Sequence, residues 1–182
     1  MNTNETVRLT RNVEAFIVPS GEQVVLKKDE PVRITQALGG TYTVVFQGNM
    51  YQISGANADA LGYEPELIDA GLVSGTNGVD EHMIWDQLKS VYDPEIPVNI
   101  VDLGLIYDLK LKPAPRNKGT NIYIKMTLTA PGCGMGPVIA GNAEQKVKAV
   151  PGVHDVLVEL VWEPQWNKDM MTEEALLQLG LL

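Results

Sequence analysis

Apolar residues of this 182-residue chain alternate with polar ones up to residue 55, and from Val79 onward they begin to recur at helical spacing. One regular layer cannot satisfy both patterns, so the chain must build two kinds of structure. The alternating part is a series of short runs, among them Thr6–Thr10, Gln23–Lys28 and Thr41–Gln47, punctuated by Pro19-Ser20-Gly21, Gly39-Gly40 and Gly48-Asn49. Closely spaced runs of this kind predict a small antiparallel barrel or sandwich, with a tight hairpin turn at Gly48-Asn49. This β-rich module, residues 1–55, holds no cysteine or histidine, which favours a docking or dimerisation role. Residues 56–78 carry four acidic and no basic side chains and close on the polar run Ser74–Gly78, so they read as an acidic linker.

In residues 79–182, Ile84, Leu88 and Val91 mark a helix, with Asp80 and Glu81 in its first turn opposing the positive end of the dipole. Pro94 biases Asp93 away from helical angles and ends that helix near Tyr92. Leu103, Leu105, Tyr107, Leu109 and Leu111 alternate, as do Ile122, Ile124, Met126 and Leu128, which predicts a hairpin around Lys112–Thr120. Ile139, Ala143, Val147 and Val150 then share a helical face stopped by Pro151-Gly152. Val156, Val158, Leu160 and Trp162 alternate as a third strand, and a short helix follows near Thr172–Leu179. The expected fold class is α+β: a helix-strand-strand-helix-strand sandwich over 79–182, preceded by the small all-β barrel-like module.

Charge and cysteine content narrow the chemistry. With 14 basic and 23 acidic residues the net charge is -9, which opposes the phosphate neutralisation that nucleic-acid affinity requires. No apolar run reaches the roughly 18 residues of a membrane span, and Met1–Thr10 lacks the apolar segment of a secretory signal. The expectation is a cytoplasmic protein with neither nucleic acid nor membrane as partner. One cysteine makes no internal disulfide, and with two histidines it falls short of a four-ligand structural zinc site.

That cysteine, Cys133, lies in Thr127–Gly141, a strand-to-helix turn with Pro131 before it and Gly132, Gly134 and Gly136 around it. A thiol used for packing is usually buried among apolar side chains, whereas this setting leaves the sulfur accessible. Three readings stay open: a nucleophile, a metal ligand, or an inert residue of a glycine-rich turn. Asp93-Pro94-Glu95-Ile96-Pro97 forms a loop stiffened by two prolines that carries Asp93 and Glu95. Asn99 and Asp102, at the start of the first strand, are suited to fixing their loop by side-chain to backbone hydrogen bonds. Thr127 and Thr129 end the second strand, where their hydroxyls either donate to the thiolate or face solvent. His82 and His154 read as surface residues. Trp162, Pro164 and Trp166 either cover the sheet or meet a partner.

The motifs Asp93–Leu109 and Met126–Gly136, in that order, resemble the iron–sulfur cluster assembly domain shared by PaaD proteins of phenylacetyl-CoA oxygenase systems and cytosolic cluster-targeting factors. The likeness spans about 100 residues, Val79 to Leu179. The preceding module, with Ile34–Val44, narrows it to the SufT family of the Suf cluster-assembly system, over nearly the full chain. The resemblance implies a non-enzymatic maturation factor that builds iron–sulfur clusters or delivers them to client proteins, with Cys133 as thiolate ligand. It further implies functional roles for Asp93 and Glu95, a transiently held iron–sulfur cluster, and Suf-type assembly proteins and apo clients as partners.

A thiol ahead of a helix N-terminus has a lowered pKa, Pro137 suits the first helical position, and the glycines let backbone N–H groups turn toward the sulfur. Oxygen donors from Asp93 and Glu95 are second-rate ligands but suit a labile cluster. A single thiolate cannot complete a cluster, so two chains or outside thiols are needed, and a symmetric homodimer is the economical version. Gly134 departs from the proline that many relatives carry there. Two other classes compete: an adapter that joins machinery and client without iron, and a thiol enzyme with His154 as base.

Overall fold

The computed structural model describes residues 5–65, 79–132 and 134–181. It divides into two compact units. The first holds residues 5–65 with 92–97 and 134–135, and the second holds residues 79–91, 98–132 and 136–181.

In the first unit, six strands form one antiparallel sheet: β1 (Thr6–Arg8), β2 (Val13–Val18), β3 (Gln23–Leu26), β4 (Pro31–Leu38), β5 (Thr41–Phe46) and β6 (Asn49–Ser54). Their spatial order is β1-β4-β5-β6-β2-β3. The β5–β6 turn is centred on Gln47 and Gly48, with φ of 50° and 84°, because Asn49 already pairs with Phe46. Two consecutive left-handed residues match the twist of a hairpin, and the turn therefore lies one residue earlier than Gly48-Asn49. Alternation places Val13 and Ala15, Val32 and Ile34, Tyr42 and Val44, and Tyr51 and Ile53 in a single core.

The first six residues of the expected linker belong to the first unit. Gly55–Leu61 is a 3-10 helix capped by Ser54, and it adds Ala58, Ala60 and Leu61 to that core. Arg11 pins it from outside, its Nε and Nη2 each donating to Asp59 at 2.6 Å. Residues 66–78 of the linker lie outside the described residues.

The second unit is mixed α+β. Helix α1 (Glu81–Lys89) starts at Asp80, whose Oδ1 accepts from the His82 N–H at 2.9 Å, and buries Ile84 and Leu88. Strands β7 (Ile106–Pro113) and β8 (Thr120–Met126) form the hairpin, and β9 (Val153–Leu160) pairs parallel to β8. A parallel neighbour requires a crossover, which α2 (Gly136–Lys148) supplies with Ile139, Ala143 and Val147 buried. Lys146 on α2 donates to Ser90 Oγ at 2.9 Å and so joins the two helices. The short α3 (Glu173–Gln178) is capped by Thr172.

The order helix-strand-strand-helix-strand is thus that of the chain. Leu103 and Leu105, expected in the first strand, precede it in a run of turns and are buried there. Trp162, expected in the third strand, lies two residues beyond its end. No helix among the described residues is long and apolar enough to cross a membrane.

Candidate functional site

The Asp93–Pro97 loop is organised by its first residue. Asp93 Oδ1 accepts from the backbone N–H of Glu95 at 2.8 Å and of Ile96 at 3.0 Å, the local bonding to which a short carboxylate at a turn is suited. The side chain is 5% exposed. Burial pushes the Asp93 pKa up, and the two N–H donors offset part of that rise. Gln36 Nε2 donates to the Asp93 carbonyl at 3.3 Å. Glu95 is exposed, so of the two carboxylates it is the one open to an incoming ligand.

Asn99 organises the next turn in the same way. Its Oδ1 accepts from the N–H groups of Val101 at 3.0 Å and Asp102 at 2.9 Å, and its Nδ2 donates to Asp102 Oδ2 at 2.6 Å. The Asp102 carbonyl accepts from the Thr172 N–H at 2.9 Å, and the Leu103 carbonyl accepts from the Trp166 indole at 2.7 Å. The C-terminal tail is thereby fastened to the segment that leads into β7.

After β8 the chain turns through Thr127, whose N–H donates to the Leu105 carbonyl at 2.8 Å and whose side chain is buried. Thr129 is partly exposed. Thr127, Thr129 and Pro131 line a cavity of about 200 Å³ together with Trp162 and Trp166. This brings the tail tryptophans to the strand end that leads into the glycine turn.

The three glycines of that turn answer to two different demands. Gly132 has a φ of 83°, the left-handed region that glycine adopts without penalty, and open space where a Cβ would stand. At Gly134 a Cβ would collide with the Ser20 carbonyl. At Gly136 it would stand 2.7 Å from Leu128 Cδ1 and 3.2 Å from Leu160 Cδ1. Close approach therefore governs Gly134 and Gly136. Gly136 opens α2, which makes Pro137 its second residue, not its first. Cys133 itself lies outside the described residues.

His82 and His154 are both exposed. Among the described residues, no three His, Cys, Asp or Glu side chains are grouped to hold a metal ion. The sequence marks Ser20-Gly21 only as a turn and Gln36 only as a strand residue, because a strand glutamine and a turn glycine carry no chemical signal of their own. A tertiary contact alone reveals them.

Residues 81–160 match the family model described as iron–sulfur cluster assembly protein. The Fe-S protein maturation auxiliary factor of Porphyromonas gingivalis is 47% identical over 102 residues, which is 56% of this chain and 92% of that protein. The Fe-S protein maturation auxiliary factor SufT of Staphylococcus aureus is 38% identical over 91 residues, 50% of this chain and 98% of that protein. A solved domain of unknown function from Bacillus anthracis is 36% identical, covers 56% of this chain and 92% of its own, and has a TM-score of 0.48. The family model and the two maturation-factor relatives define the class as that of the cluster assembly domain. The chain belongs to the iron–sulfur cluster assembly protein family, with relatives that include SufT. The two relatives match 56% and 50% of the chain.

Proposed function

We propose that the chain is a maturation factor that helps build iron–sulfur clusters or deliver them to client proteins, with the Cys133 thiolate holding the cargo. The observation that carries this reading is the 47% identity across nearly the whole of a relative named a maturation auxiliary factor. The cluster is cargo, not a resident cofactor. Asp93 is engaged by its own loop, so its part is to hold that loop in shape, while the exposed Glu95 supplies a weak oxygen donor that releases easily. The remaining ligands come from outside: a second Cys133 in a homodimer, a small thiol, or the client's own cysteines. A working thiolate of this kind needs a reducing compartment, which suits the cytoplasm and Suf-type assembly partners.

The test is complementation. Cells lacking the chain receive either wild type or Cys133→Ser, and the activities of several cluster-dependent enzymes are measured against a cluster-free control. Wild type restores them, and the serine variant, present at equal abundance, does not. Full restoration by Cys133→Ser would overturn the thiolate role.

A further inference from the structure

The six-stranded sheet buries residues on the face turned away from its apolar core. By register, Gln36, Thr43, Gln52 and Phe16 form one cross-strand row over β4, β5, β6 and β2. Thr43 is 2% and Gln52 3% exposed. Neither polar atom of the Gln52 carboxamide has a hydrogen-bond partner among the described residues. Polar residues opposite a core face water in most antiparallel sheets, so chain lies over this row.

Two contacts inside the same unit bear on what covers it. At one end of the row, Gln36 Nε2 donates to the Asp93 carbonyl at 3.3 Å. In the turn between β2 and β3, a Cβ on Gly21 would collide with the Gly134 carbonyl, just as one on Gly134 would collide with the Ser20 carbonyl. The two backbones approach as closely as glycine alone permits.

We propose that this sheet face is the seat on which both family loops are set, with Gln36 a positioning residue for the Asp93–Pro97 loop and Gly21 one for the residues that follow Cys133. Glutamine, threonine and glycine carry no charge. Such a seat fixes the loops by hydrogen bonding and close approach without adding a net charge beside them. The proposal deepens the maturation reading, and its test reads the loops directly. A Cys133→Ser chain that fully supported maturation would defeat that reading and leave the two measurements below untouched.

Cys133 is the sole cysteine, so alkylation of the full chain by iodoacetamide reports on it alone. Gly21→Ala directs a methyl group at the Gly134 carbonyl. Gly48→Ala is its control: φ is 84° there against 71° at Gly21, and nothing lies within 4 Å of the added carbon. Relative to that control, Gly21→Ala should change the alkylation rate at least about threefold, as expected when a thiol's surroundings move. Gln36→Leu should speed amide hydrogen exchange at Glu95 and Ile96, followed by NMR, at least about threefold as the loop loses its anchor. Gln36→Leu retains the side-chain volume and decides the matter alone should Gly21→Ala fail to fold. Alkylation in Gly21→Ala equal to that in Gly48→Ala, or unchanged exchange at Glu95 and Ile96 in Gln36→Leu, would overturn the assignment.

Discussion

Trp166 donates its indole N–H to the main-chain carbonyl of Leu103 at 2.7 Å, and so holds the C-terminal tail against the turns that precede β7. Trp166→Phe keeps most of the aromatic surface and removes the donor, which should lower stability by about 1 kcal/mol. Trp162 is 44% exposed and lines the same cavity. Its replacement by phenylalanine should stay within about 0.5 kcal/mol of wild type, as surface changes usually do. Urea unfolding of both variants distinguishes the two positions, and equal losses would contradict the assignment.

Asp93 offers a prediction with a sign in pH. Asp93→Ala strips the acceptor from two backbone N–H groups and should cost about 1–3 kcal/mol. Asp93→Asn keeps an oxygen there and carries no charge. Because burial raises the folded-state pKa of Asp93 above its unfolded value, the folded chain binds the proton more tightly, and this contribution to stability falls as pH rises through that interval. The asparagine variant lacks that fall. Its Tm relative to wild type should therefore climb from acid toward neutral pH, and a flat or declining difference would contradict a raised Asp93 pKa in the fold.

Asn99 accepts two backbone N–H groups and donates to Asp102, so Asn99→Ala should destabilise by about 1–2 kcal/mol. Asn99→Asp retains the acceptor but sets a second carboxylate beside Asp102. Its loss at neutral pH should shrink on acidification, once one of the two carboxylates is protonated. Thermal melts at neutral and acid pH check both, and an aspartate variant as stable as wild type at neutral pH would count against the Asn99–Asp102 contact.

Element types are legible wherever apolar spacing is unbroken: Ile84 and Leu88 mark α1, and Ile122 and Ile124 mark β8, with burial as spaced. Boundaries drift where burial has another origin. Leu103 and Leu105 continue the alternation of β7, yet they serve the core from turns held by Asn99, and no spacing rule separates the two cases. The Asn99 turn itself is readable because its bonds are local. The seat under the loops is not. A glutamine alternating with apolar neighbours reads as solvent-facing, and only a segment far along the chain, at Asp93, gives Gln36 its partner. Gly134 looks like flexibility in a glycine-rich turn, whereas its need arises from Ser20.

Iron retention bears most directly on whether Cys133 holds the cargo. Ferrous iron and sulfide are added anaerobically to the full chain with a small thiol present, and the protein is then desalted and read by visible charge-transfer absorption and bound iron. Wild type should keep both signals. Cys133→Ser, with unchanged circular dichroism, should keep at least about tenfold less iron, in line with the effect of altering a metal site's ligation. Equal iron and equal absorption in the two proteins would contradict a cargo-holding thiolate and leave the chain as an adapter.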